Sequence, residues 1–122
     1  MDEQRLREFL EAFNRHDLDA IMSFFTEDCV FDFPRGPSPS GTHAEGKDAV
    51  RALLATRLSG IPDVHYGDDR HFVAGERGAS EWLLTGTTRA GEQIAVRGCD
   101  LFEFRGRMIV RKDSYWKIVE KG

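Results

Sequence analysis

An α+β fold, with helices covering one face of a curved antiparallel sheet, is what this sequence of 122 residues predicts. Three observations carry the expectation. Apolar residues recur at helical spacing through the first half, alternate with period two through everything after Pro62, and are interrupted there by short glycine-bearing turns.

Taken in order, Leu6, Phe9, Leu10 and Phe13 follow the i, i+3, i+4, i+7 pattern of an amphipathic helix. Asn14-Arg15-His16 breaks that pattern, and Asp17 is placed to cap a second helix carrying Leu18, Ile21, Met22 and Phe25. Cys29 to Phe33 reads as a strand ended by Pro34, and Pro34 to Gly41 as a turn-rich loop, either a pocket rim or an ordinary surface connection. A third helix is expected from Lys47 to Leu58, with Val50, Leu53, Leu54 and Leu58 on one stripe and Gly60 placed to stop it. Val64 to Ala74, Ala79 to Thr88, Gln93 to Phe104 and Met108 to Val119 then form an antiparallel meander.

Composition narrows the function. Residues 1–122 are of a length for one domain, with room for a core and a small-molecule pocket. With 17 basic and 21 acidic residues, a formal charge of −4 and no basic run, the chain lacks the footprint of a nucleic-acid binder. Its polar, acidic start lacks the form of a secretory signal and no stretch is apolar enough to span a bilayer, so a cytoplasmic protein with no membrane partner is expected. Cys29 and Cys99 are expected as buried, reduced thiols. The four histidines lack metal-ligand spacing, so no metal is expected and the reading calls for no cofactor. His16 and His43 are expected to face solvent.

The candidate site lies on the last two strands. A two-residue Arg105-Gly106 turn pairs Phe104 with Arg107, which sets Phe102 opposite Ile109, Asp100 opposite Arg111 and Gly98 opposite Asp113. Asp100, Arg111, Asp113 and Tyr115 then share one sheet face with Phe102 and Ile109. Pairing Thr88 with Gln93 adds Glu81 opposite Asp100. Acids among aromatics must be paired, hydrogen-bonded or protonated, and each outcome tunes them for work on a ligand. The alternative is a buried ion-pair network that only fixes the strands. His65 offers a proton shuttle or a structural hydrogen bond, while Phe31, Phe33, Phe102 and Trp82 are core or pocket wall. Tyr115 could donate to a ligand carbonyl or simply pack. The reverse face, with Leu101, Met108, Val110, Trp116, Glu103 and Lys112, is apolar enough to predict a homodimer through it.

Several words of the sequence carry a resemblance: Phe13-Asn14-Arg15-His16-Asp17-Leu18-Asp19-Ala20-Ile21, Phe24-Phe25-Thr26-Glu27-Asp28-Cys29-Val30-Phe31, Gly46-Lys47-Asp48-Ala49-Val50, and Cys99-Asp100-Leu101-Phe102-Glu103-Phe104 followed by Gly106-Arg107-Met108. Together they cover nearly the whole chain, which resembles the nuclear transport factor 2-like superfamily in its ketosteroid isomerase and SnoaL-like polyketide cyclase branch. The resemblance implies a cone-shaped curved sheet wrapped around a pocket, three helices in the N-terminal half, and a homodimer. It places Asp100 where ketosteroid isomerases keep a protonated acid that hydrogen-bonds an oxyanion. The isomerase's base would fall at Phe33 and its tyrosine at Phe9, so the resemblance does not imply a steroid isomerase. Asp113 falls where limonene epoxide hydrolase-like relatives carry an aspartate, and His65 where isomerase-like relatives line the pocket.

Two functions follow as expectations. In the first, an enzyme works without a cofactor on a small apolar or aromatic organic ligand by isomerase, cyclase, dehydratase or epoxide hydrolase chemistry. Asp100, Asp113, Arg111 and His65 would be catalytic there, with Glu81, Tyr115, Phe33, Phe102, Phe31 and Trp82 binding the substrate. In the second, the same fold is a non-catalytic hydrophobic-ligand-binding or dimeric assembly module.

Overall fold

A computed structural model describes residues 1–121. Three helices, α1 (Glu3–Asn14), α2 (Leu18–Met22) and α3 (Lys47–Gly60), accompany six strands: β1 (Phe25–Ser38), β2 (Gly41–Glu45), β3 (His65–Ala74), β4 (Arg77–Thr87), β5 (Gln93–Arg105) and β6 (Met108–Trp116). The strands form one curved, unclosed sheet in the order β2-β1-β6-β5-β4-β3. The expected meander is present as β3 to β6. The sheet is mixed, because β1 returns to lie parallel to β6, with Val30 beside Arg111 and Asp32 beside Asp113.

The helix ends obey the sequence. Asp2 accepts a hydrogen bond from the Arg5 backbone at 2.8 Å and Asp17 one from Ala20 at 3.1 Å, each cap contributing about 1 kcal/mol. Between these helices the Asn14-Arg15-His16 break also anchors the sheet. The Asn14 amide donates to the Tyr66 carbonyl at 2.9 Å and accepts from the Tyr66 N–H at 2.7 Å, while His16, at φ 55, meets the Val64 carbonyl at 2.7 Å. That clasp fixes the start of β3 and turns Tyr66 inward.

The expected loop from Pro34 to Gly41 is instead a hairpin. β1 continues through both prolines and returns as β2, with the register shifting between Phe33 and Ser38. Pro34 is tolerated because the ladder is already interrupted there. α1 lays Leu6, Phe9, Leu10 and Phe13 against the sheet, and Phe9 sits 5.2 to 6.0 Å from the rings of Phe13, Phe24, Phe25 and Phe102. Phe9 is thus a core residue in an edge-to-face cluster.

One irregularity decides which side chains face inward. β5 and β6 pair Arg105 with Met108 and Phe104 with Ile109, and then Glu103 with Arg111, so Val110 is an extra residue on β6. Such a bulge reverses the alternation beyond it. Ile109 points into the core, and past the bulge the inward residues are Lys112, Ser114 and Trp116. Arg111, Asp113 and Tyr115 turn outward.

Candidate functional site in the sheet interior

Asp100 is buried at the centre of the inner face, and three donors converge on it. The Trp82 indole N–H donates to Oδ2 at 3.0 Å, while Lys112 Nζ at 3.0 Å and the Ser114 hydroxyl at 2.5 Å donate to Oδ1. Lys112 also donates to Ser114 Oγ at 2.7 Å, closing a small ring of hydrogen bonds. The ammonium lies 4.5 Å from the centroid of Phe31 and 5.7 Å from that of Phe13. Burial pushes the Lys112 pKa below its ordinary value although Asp100 pulls it up. Trp82 reaches Asp100 because Gly98 leaves space for its ring: a Cβ at Gly98 would lie 2.5 Å from the indole and 2.4 Å from the Tyr115 carbonyl oxygen.

Above this cluster is a cavity of about 10 Å³, walled by Phe13, Phe31, Phe33, Tyr66, Trp82 and Trp116, with Lys112 and Ser114 at its polar end. That volume suits about one water molecule. Its outer end is bordered by the partly exposed Phe33, Pro34, Arg57 and Trp116. The Arg57 guanidinium stacks 4.3 Å from the Trp116 ring centroid and 4.7 Å from that of Phe33. Burial lowers its pKa, with Tyr66 and Asp100 opposing the fall and Arg35 adding to it. Tyr66, edge-on to Trp82 at 4.9 Å, has its phenol pKa raised by burial.

The structure divides the predicted site. Asp100 is interior, and Phe31, Phe33 and Trp82 line the cavity; Phe102 is buried in the core beside Phe9 and Phe104 and does not line it. The Val110 bulge removes Arg111, Asp113 and Tyr115 from this company. Glu81 leaves for a related reason: β4 and β5 pair Thr87 with Gln93, one residue from the predicted register, so Glu81 faces outward opposite Cys99 and Ser80 lies opposite Asp100. His65 is exposed, because the Asn14 clasp gives the inward place to Tyr66.

The outward residues form a second network. Asp32, also buried, receives His43 Nδ1 at 2.6 Å and the Arg111 guanidinium at 3.0 Å. Arg111 reaches Glu103 and Asp113, each at 3.4 Å, and Tyr115 donates to Asp113 at 3.1 Å. Burial raises the Asp32 pKa, but the bonds from His43 and Arg111 outweigh it and leave the carboxyl below its ordinary value. Asp32 in turn raises His43, with Glu45 assisting at 3.0 Å. His43 is exposed to solvent as expected, but it lies on β2 and is paired with Asp32 and Glu45 where a loop was expected. Cys99, expected buried, is partly exposed on this face, and Cys29 is buried; both are free.

His71 is buried with Nδ1 2.7 Å from Ser80 Oγ and Nε2 2.6 Å from Asp69. The order Ser-His-Asp evokes a nucleophile, but the ring is fully enclosed and does not line the cavity under Arg57, so this is a strand-fixing bridge. Among the described residues no group of three or more His, Cys, Asp or Glu is placed to hold a metal ion. Nor, among them, is any helix long and apolar enough to cross a membrane.

Lys112, Ser114, Tyr66 and Arg57 were not foreseen as site residues. Arg57 had a readable signal, since it continues the buried stripe of α3 through Val50 and Leu54 at helical spacing. Lys112 had none, because a single-residue bulge leaves no clear mark in a strand where both alternating sets mix charge with aromatics.

A helix-covered curved sheet with a polar cluster at its inner face defines the class as a nuclear transport factor 2-like fold. Residues 6–112 match the SnoaL-like domain, and the chain belongs to that family. Solved structures agree on the fold. A candidate polyketide cyclase from Xanthomonas campestris pv. campestris is 23% identical, with a TM-score of 0.82 over 96% of this chain and 93% of that one. A protein with a ketosteroid isomerase-like fold from Catenulispora acidiphila, in complex with trimethylamine, is 18% identical with a TM-score of 0.83 over 97% and 88%. TerC co-crystallised with polyporic acid is 15% identical, with a TM-score of 0.79 over 93% and 89%. No curated protein matches the sequence.

Proposed function

We propose that this protein binds a small, largely apolar or aromatic molecule in the cavity under Arg57 and performs cofactor-independent acid/base chemistry on it through Lys112. The observation that carries this reading is a buried ammonium at the polar end of an aromatic-walled cavity, held 3.0 Å from a carboxylate that does not itself border the cavity. Lys112 would face the ligand, and Asp100 would act through it as a positioning residue. As an ammonium, Lys112 can donate to an oxygen that gains charge when a neighbouring C–H loses its proton. Having passed its proton to Asp100, it can serve as the amine base. Its lowered pKa favours that exchange. A ligand larger than water needs Trp116, at the end of β6, and the Arg57 side chain to move aside.

The test is deuterium exchange into the benzylic position of phenylacetone, followed by NMR in D₂O. Exchange is expected to accelerate over buffer with the wild-type protein and to fall to the buffer rate in Lys112→Met. Binding without acceleration would contradict the catalytic reading.

A second reading, the non-catalytic module, is favoured by the small cavity and by the outer face. Phe72, Leu101 and Tyr115 are 59%, 43% and 53% exposed there, rimmed by Arg111, Asp113 and Glu81. A homodimer through this face would cover them. Its composition differs from the predicted reverse face, since the bulge has carried Lys112 and Trp116 inside.

A further inference from the structure

We infer that the ligand of this cavity is an organic anion, a compact unsaturated molecule whose carboxylate or enolate oxygen is held by Arg57 and Lys112 together. This rests on the ligand-binding reading above and adds the charge of the ligand.

Charge count is the first support. Arg57 and Lys112 border one cavity whose nearest acid is Asp100, and Asp100 is already engaged by Lys112, Ser114 and Trp82. Among the described residues Arg57 forms no ion pair with a carboxylate; its guanidinium is held by the ring faces of Trp116 and Phe33 and lies beside the neutral Tyr66 phenol. Stacking of this kind restrains the plane and leaves the N–H edge able to fork onto two oxygens. The cations also oppose one another: Arg35 acts against the charge on Arg57, and Arg57 against that on Lys112. This end of the fold is thus locally positive in a chain of net charge −4, so composition alone does not produce it. An anionic oxygen between the two groups would relieve their repulsion and give the guanidinium the negative partner it lacks. The aromatic walls suit a flat, unsaturated body behind that oxygen.

Three probes of one shape, benzoate, benzamide and benzylamine, separate the alternatives. The chain has two tryptophans, Trp82 and Trp116, and both border the cavity, so their indole N–H signals report occupancy in an NMR titration. Benzoate is expected to bind at least about tenfold more tightly than benzamide, and benzylamine more weakly than either. Arg57→Gln should abolish the preference for benzoate over benzamide, and Arg57→Lys should retain part of it. Equal affinities of the wild-type protein for benzoate and benzamide, or an unchanged preference in a folded Arg57→Gln, would overturn the inference while leaving the ligand-binding reading intact. Failure of all three probes to move either indole signal would overturn both.

Discussion

The two faces of the β5–β6 ribbon carry ion pairs built from the same chemistry in opposite surroundings. On the inner face, Lys112 and Asp100 are 7% and 4% exposed and share the Ser114 hydroxyl, while Asp100 also receives the Trp82 indole. On the outer face, Arg111 is 38% exposed and spreads over three carboxylates, of which Asp32 also has His43, Asp113 also has Tyr115, and Glu103 is half open to solvent. A buried pair must be complete, because removal of one partner strands a charge where water cannot reach it. An exposed network tolerates loss, because solvent and the remaining partners take up the vacated bonds. The inner pair is therefore the brittle element and the outer one a cushion.

The largest expected effect breaks the inner pair. Lys112→Met should destabilise the protein by about 3–5 kcal/mol in urea unfolding, since Asp100 keeps only Ser114 and Trp82 as donors. Adding Asp100→Asn should recover a large part of that loss, and a double variant no more stable than the single one would refute the pairing. Lys112 also sets a pH slope. Its folded pKa lies below its unfolded one, so its contribution is fully present above the ordinary 10.5 and is lost as pH falls through the folded value. Stability should consequently climb more with pH in that window for the wild-type protein than for Lys112→Met, the difference between the two profiles being the Lys112 contribution.

The outer network should respond more gently. Arg111→Leu is expected to cost about 1 kcal/mol or less, because Arg111 is more than a third exposed and Asp32 keeps His43. A loss as large as that of Lys112→Met would erase the distinction between the faces. The smallest effect concerns His43. Its folded pKa is raised, first by Asp32 and then by Glu45, so the stability it supplies is present below its unfolded pKa and fades as pH rises through the folded one. His43→Gln should flatten the stability profile on that neutral flank, as read from thermal melts.

Why the fold was legible and half the site was not follows from parity. The periodicities of Leu6 to Phe13 and of Val50 to Leu58, the Asp17 cap and the alternating strands after Pro62 all persist over several residues, so an error of one position leaves the element in place. Side-chain direction in a strand has no such tolerance. The one extra residue at Val110 exchanged Arg111, Asp113 and Tyr115 for Lys112, Ser114 and Trp116, and a one-residue change in the β4–β5 pairing exchanged Glu81 for Ser80. Asp100 survived because it lies on the unbulged strand, two residues from the buried Phe102. The β1–β2 hairpin was missed because Pro34 and Pro37 argue against a strand, and they are accommodated where the register shifts between Phe33 and Ser38.

Lysine-selective ¹⁵N–¹H NMR tests the central claim most directly, because the chain has four lysines and Lys112 alone is fully enclosed by aromatic rings and Asp100. The predicted result is one ammonium signal with slow proton exchange and Overhauser contacts to Phe31 and Phe13, lost in Lys112→Met. Rapid exchange at all four lysines, with the guanidinium of Arg111 showing those ring contacts, would contradict the inward turn at Val110 and the site built on it.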